Sequence, residues 1–135
     1  MKLFTRVLVS LLLLCAAPVA AISANTPSPA VQKEFDGFIA KFRAAVKAQD
    51  SDGIASLSKL PFMGDQSIST AKQFRAKVYG PSFKPKTRTC LLSSKPVYDR
   101  DGENNENYFI FCGQDIFVFT KGPDGFLFTE IGAND

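Results

Sequence analysis

Histidine is missing from this chain altogether. Without an imidazole, no side chain titrates near neutral pH at its ordinary pKa, and the commonest zinc sites lose a ligand type. The groups left for proton transfer are carboxylates and phenols, with Asp36, Asp115, Tyr79 and Tyr108 as candidates. A carboxylate base needs burial to lift its pKa and a substrate within hydrogen-bond reach. For each of the four, a surface or structural role is the simpler reading. No cofactor and no metal is expected.

The remaining reactive pair is Cys90 and Cys112. The chain has three cysteines, but Cys15 lies in an N-terminal stretch expected to be removed, which leaves an even pair. A disulfide is expected, the alternative being two separate buried thiols. A thioredoxin-type redox pair is disfavoured, because that arrangement needs two residues between the cysteines.

Two charge clusters stand out. Lys72, Arg75, Lys77, Lys84, Lys86 and Arg88 form a basic stretch free of acids, whereas Asp99, Asp101, Glu103 and Glu106 gather around an Asn-rich loop. The basic stretch lacks the interleaved aromatic residues of single-strand nucleic-acid channels. Loss of Lys2 and Arg6 with the N-terminus lowers the formal charge from +3 to +1, so no nucleic-acid partner is expected. The basic stretch reads as a solvated helix face and loop, and Glu103 to Asn107 as an exposed hairpin tip suited to a protein contact.

The elements that must position these groups begin after a signal. Met1 to Arg6 is a short basic region, Val7 to Ala17 an apolar run, and Pro18-Val19-Ala20-Ala21 a cleavage-site pattern. Residues 1–21 are read as a secretory signal peptide with cleavage after Ala21. A lipoprotein signal ending at Cys15 would place bulky Leu14 where a small residue is expected. The run is too short for a stable membrane anchor, and the mature protein is expected to be periplasmic or secreted. Residues 22–30, rich in Ser and Pro, read as a flexible leader, and residues 31–135 as one domain.

Within that domain, Ser28 caps a helix with Pro29 in its first turn. Val31, Phe35, Phe38, Ile39, Phe42 and Val46 then fall at helical spacing. A shorter helical pattern runs through Ile54, Leu57 and Leu60 to Pro61, and Thr70-Ala71-Lys72-Gln73 is a capping box opening a third helix that Gly80-Pro81 should end. The period then becomes strand-like, over Thr87 to Leu92, Pro96 to Asp99, Tyr108 to Cys112, Ile116 to Thr120 and Phe126 to Ile131. Turn residues separate the later strands, notably Asp101-Gly102, Gly113-Gln114 and Pro123-Asp124-Gly125.

Helices followed by strands predict an α+β fold, with N-terminal helices packed on a curved antiparallel sheet. A Cys90–Cys112 bridge would then join two strands. Phe109, Phe111, Phe117 and Phe119 recur at every second position, yet Tyr108, Ile110, Ile116 and Val118 between them are also apolar. A sheet apolar on both faces needs a cover for the second. Phe38, Phe42, Phe109, Phe111, Phe117, Phe119 and Val118 are therefore candidates to line a pocket or an interface, including a homodimer through the sheet face.

The order of these elements, and the ending Phe126-Leu127-Phe128-Thr129-Glu130-Ile131-Gly132, resembles the nuclear-transport-factor-2-like (cystatin-like) superfamily. Its members fold into a cone, with a bent sheet wrapped around the long helix. Where many relatives carry a tryptophan after the last hairpin turn, this chain has Phe126. Enzymes of that superfamily, such as the ketosteroid isomerases and scytalone dehydratase, work by proton transfer with a pocket Asp or His, whereas the missing histidine and the two apolar sheet faces point to binding without chemistry. The expected function is a non-catalytic exported module that binds a protein or a small apolar ligand. The alternatives are an isomerase-like or dehydratase-like pocket enzyme and a periplasmic inhibitor or immunity protein.

Overall fold

The computed structural model describes residues 15–16 and 25–135. The expected signal segment lies outside the described residues apart from Cys15 and Ala16, and so do residues 22–24 of the leader, whereas its last two residues, Pro29 and Ala30, already belong to the first helix. Helix α1 spans Pro29–Lys47, two residues ahead of the expected domain start. Ser28 Oγ accepts the Val31 N–H at 3.2 Å, and all six residues of the apolar stripe are buried. Fully enclosing a phenylalanine stabilises a fold by roughly 1.5–3 kcal/mol, so this stripe anchors the domain.

After α1 the chain turns through Gln49, at φ +52°, into α2 (Ser51–Ser56). Asp50 caps it by accepting the Gly53 N–H at 2.9 Å, and a Cβ at Gly53 would collide with that same carboxylate. A short turn at Phe62–Gly64 precedes α3 (Ala71–Phe74), whose capping box is formed as expected, with Thr70 and Gln73 each satisfying the other's backbone N–H.

The third helix does not stop at Gly80-Pro81. It widens into a π turn, Arg75–Tyr79, and continues as α4 (Gly80–Ser82). A proline inside a helix lacks an N–H and its ring crowds the carbonyl four residues back. Here the Gly80 N–H reaches the Arg75 carbonyl, an i→i−5 step that opens the backbone just ahead of Pro81.

A larger correction concerns Thr87 to Leu92. This segment is helix α5 (Pro85–Ser93), not a strand. The β-branched threonines suggested strand, but tertiary contacts decide otherwise. Leu91 is fully buried, and Arg43 of α1 donates to the carbonyls of Leu91 and Ser94 where the helix ends. Those carbonyls have no partner within the helix itself.

Four strands follow: β1 (Val97–Arg100), β2 (Glu106–Cys112), β3 (Asp115–Gly122) and β4 (Gly125–Ala133). They form an antiparallel meander in the order β1-β2-β3-β4, and the sheet is not closed. Gly113 at φ +64° allows the tight β2–β3 turn, in which Cys112 pairs directly with Asp115. A bulge at Thr129 shifts the β3–β4 register between Val118 and Phe119. The fold is therefore α+β.

The space between α1 and the sheet is filled. Phe35, Phe42, Phe117, Phe119 and Phe128 are all at or near zero exposure and their rings meet edge-on, tilted or stacked, with Phe42 to Phe119 at 4.9 Å between ring centres. Phe35 stacks on Tyr108 at 3.6 Å. The Cys90–Cys112 disulfide is present, with its Cα atoms 5.8 Å apart. Because Cys90 lies on α5, the bridge joins helix to sheet, not strand to strand.

Candidate functional site

β-strand side chains alternate between faces, and here the alternation sorts two apolar sets. Tyr108, Ile110, Phe117, Phe119, Phe126 and Phe128 point to the helices and are buried. Phe109, Phe111, Ile116 and Val118 point the other way. None of these four, nor Val97, belongs to the core cluster.

Register assembles the outer residues into rows across the sheet. Val97 pairs with Phe109, Phe109 with Val118, and Val118 with Glu130. A second row runs from Phe111 through Ile116 to Gly132. A third, at the hairpin end, runs from Asp99 through Asn107 and Thr120 to Leu127. The first two rows are apolar over most of their length, and the third is largely polar. Together they floor an open trough of about 590 Å³. Val97 is 50% exposed and Phe111 48%, large values for apolar side chains side by side on one face.

The polar end is fixed by hydrogen bonds. Thr120 Oγ1 donates to Asn107 Oδ1 at 2.6 Å, and Asn107 Nδ2 donates to Asp101 Oδ2 at 3.2 Å. Asp101 also accepts the backbone N–H groups of Glu103 and Asn105, each at 2.9 Å. The Asn105 amide and backbone N–H hold its carboxyl below the usual carboxylate range, so it stays ionised. No lysine or arginine lines the trough.

The expected lining residues therefore separate into two groups. Phe109, Phe111 and Val118 come together on the outer face. Phe42, Phe117 and Phe119 sit inside the core, and Phe38 is buried there with one edge on a shallow groove beside Gly125 and Phe126. Ile116, already noted among the alternate apolar residues, joins them, and Val97 and Glu130 complete the outer face without having been singled out. Cross-strand register is the signal that identifies them, and it requires the turns to be placed to the residue.

The candidates for proton transfer are scattered. Asp36 is exposed on α1 and accepts from Gln32 Nε2 at 2.7 Å, while the Tyr108 hydroxyl donates to Gln32 Oε1 at 2.9 Å. Burial, reinforced by the Asp36 charge, pushes the Tyr108 hydroxyl up to about 12, so it remains a protonated hydrogen-bond donor. Tyr79 stacks on Phe83 at 5.1 Å, and Asp115 stands at the β2–β3 turn. Among the described residues no carboxylate is buried and no metal-binding cluster of His, Cys, Asp or Glu is present.

The basic stretch lies on the helical side. Arg75 is paired with Asp52 at 2.7 Å and Arg88 donates to the Phe83 carbonyl, whereas Lys72, Lys77, Lys84 and Lys86 are exposed. No described helix is long and apolar enough to cross a membrane. No family model, curated protein or solved structure matches the chain.

Proposed function

We propose that this chain is an exported, non-catalytic binding module whose outer sheet face docks a partner protein. One observation carries the reading: the row Val97–Phe109–Val118 and its neighbour Phe111 are apolar and outside the core, with Val97 and Phe111 half-exposed and Phe109 and Val118 partly buried, while the helices pack on the opposite face. A small apolar ligand would need an enclosing pocket that buries most of its surface, and the trough is broad and open. Isomerase-like chemistry would need a buried carboxylate beside a cavity, and the interior is occupied by phenylalanine. An inhibitor or immunity protein would act through the same kind of face. The element order, with long α1 ahead of an antiparallel meander, supports a distant relation to the nuclear-transport-factor-2-like superfamily and a cone-like wrap of the sheet about α1.

A photo-crosslinking amino acid tests the face. Placed at Val118 it should yield one adduct of defined mass, and the same group at exposed Lys86 on α5 should yield none. Adding Phe111→Lys should abolish the Val118 adduct. Equal adducts from both positions, or none from Val118, would overturn the proposal.

Export is tested separately by mass spectrometry of the protein recovered outside the cytoplasm, whose first residue is expected near Ile22. An intact Met1 or a lipidated Cys15 would refute that cleavage.

A further inference from the structure

The outer face carries charge of one sign only. Asp99 and Asp101 stand at its β1 end, and Glu130 closes the Val97–Phe109–Val118 row on β4. The ion pairs among the described residues join Arg75 to Asp52, Arg100 to Glu106 and Lys121 to Glu34, and none of them reaches these three acids. Among the described residues the Glu130 side chain has no hydrogen-bond partner either, and Asp99 accepts only the neighbouring Arg100 N–H. Asp101 is satisfied by neutral donors, so its charge is fixed but not neutralised. An apolar floor is thus bounded on both flanks by uncompensated negative charge.

Resting on the proposal that this face docks a protein, we infer that the partner contributes a basic amphipathic helix lying across the strands. A helix is the layer that ordinarily covers the apolar face of an antiparallel sheet. Its apolar stripe would meet Val97, Phe109, Phe111 and Val118, and a lysine or arginine near each end of the contact would meet Asp99 and Glu130. From β1 to β4 there are three strand spacings, about 14 Å, or about nine residues of helix at 1.5 Å each. A second copy of this chain is a poor occupant. Any two-fold contact through the face sets acids against acids with no cation between them, and like charges across an interface oppose association.

The test uses two synthetic helical peptides with the same Leu and Ala stripe, one flanked by Lys and the other by Glu at positions about eleven residues apart, close to three full turns, so that both charges share the face of the stripe. Each is titrated into the 15N-labelled protein. The Lys peptide should shift the amides of Val97, Phe109, Phe111 and Val118, and bind at least tenfold more tightly than the Glu peptide. Asp99→Asn and Glu130→Gln should each weaken it roughly two- to fivefold, the range for partly exposed charge pairs, and added salt should weaken it further. Equal binding of both peptides would overturn the charge inference while leaving the docking face intact. Shifts confined to another surface, or no binding of the Lys peptide at millimolar concentration, would also overturn it. Self-association of the protein through this face in sedimentation would name a second copy as the occupant and refute it. The Val118 crosslink reads the docking proposal itself, so the two can fail independently.

Discussion

Phe119→Lys is expected to unfold the domain, whereas Val118→Lys, one residue away, leaves it folded. Phe119 has no exposed surface and its ring lies 4.9–6.0 Å from those of Phe35, Phe38, Phe42 and Phe128. Removing such a ring costs about 3–5 kcal/mol, and the lysine adds an unpaired charge with no route to water. Domains of this size are stable by about 5–15 kcal/mol in total, so the sum removes most or all of the margin. Val118 belongs to the outer row, where a lysine reaches solvent and the expected change is within about 1 kcal/mol. Circular dichroism and thermal melts of the two variants separate the faces. A folded Phe119→Lys protein, or a collapsed Val118→Lys protein, would show that the faces are assigned the wrong way round.

Loss of the Cys90–Cys112 bridge is expected to lower the thermal midpoint by on the order of 10 °C. Closing a loop with a sequence separation of 22 restricts the unfolded chain by about 3 kcal/mol on the chain-entropy account. For a domain of this length each kcal/mol shifts the midpoint by roughly 4 °C or more. The bridge also has a local role, since it ties α5 to the strand that carries Phe111, and Cys90 Sγ lies 3.3 Å from the Phe111 carbonyl. The comparison is between the oxidised protein, the reduced protein and the Cys90→Ala/Cys112→Ala double variant. The last two should melt together and well below the first. Three coincident melts would show that the crosslink contributes nothing to stability.

How far each feature was legible depended on whether its cause was local. The start and the buried stripe of helix α1 were legible because a capping serine, a first-turn proline and a 3.6-residue period are all local to it. The capping box at Thr70 was equally plain. Helix α5 was hidden, because Thr87 and Thr89 favour strand and the group that satisfies its last carbonyls, Arg43, lies 48 residues earlier than Leu91. The cysteine pairing followed from there being only two in the expected mature chain, but the element carrying Cys90 was misread along with α5. On β2 and β3 the alternation showed two apolar faces without telling which met the helices. A phenylalanine set and a Tyr, Ile and Val set are interchangeable as core by composition alone. What sorts them is the pairing of Cys112 with Asp115 and the bulge at Thr129, both properties of the assembled sheet.

That interchangeability bears on how the chain avoids a wrong structure. In Tyr108-Phe109-Ile110-Phe111-Cys112 a slip of one position would turn phenylalanines inward and an isoleucine and a tyrosine outward, with little loss of buried apolar area. Oil-like burial therefore discriminates poorly between the correct strand pairing and its neighbour, and discrimination falls to groups that have no substitute one place along. Asn107 meets both Asp101 and Thr120 only in the native pairing, and Cys112 reaches Cys90 only when its side chain faces the helices. The native bridge is thus compatible only with the register that turns Cys112 toward α5.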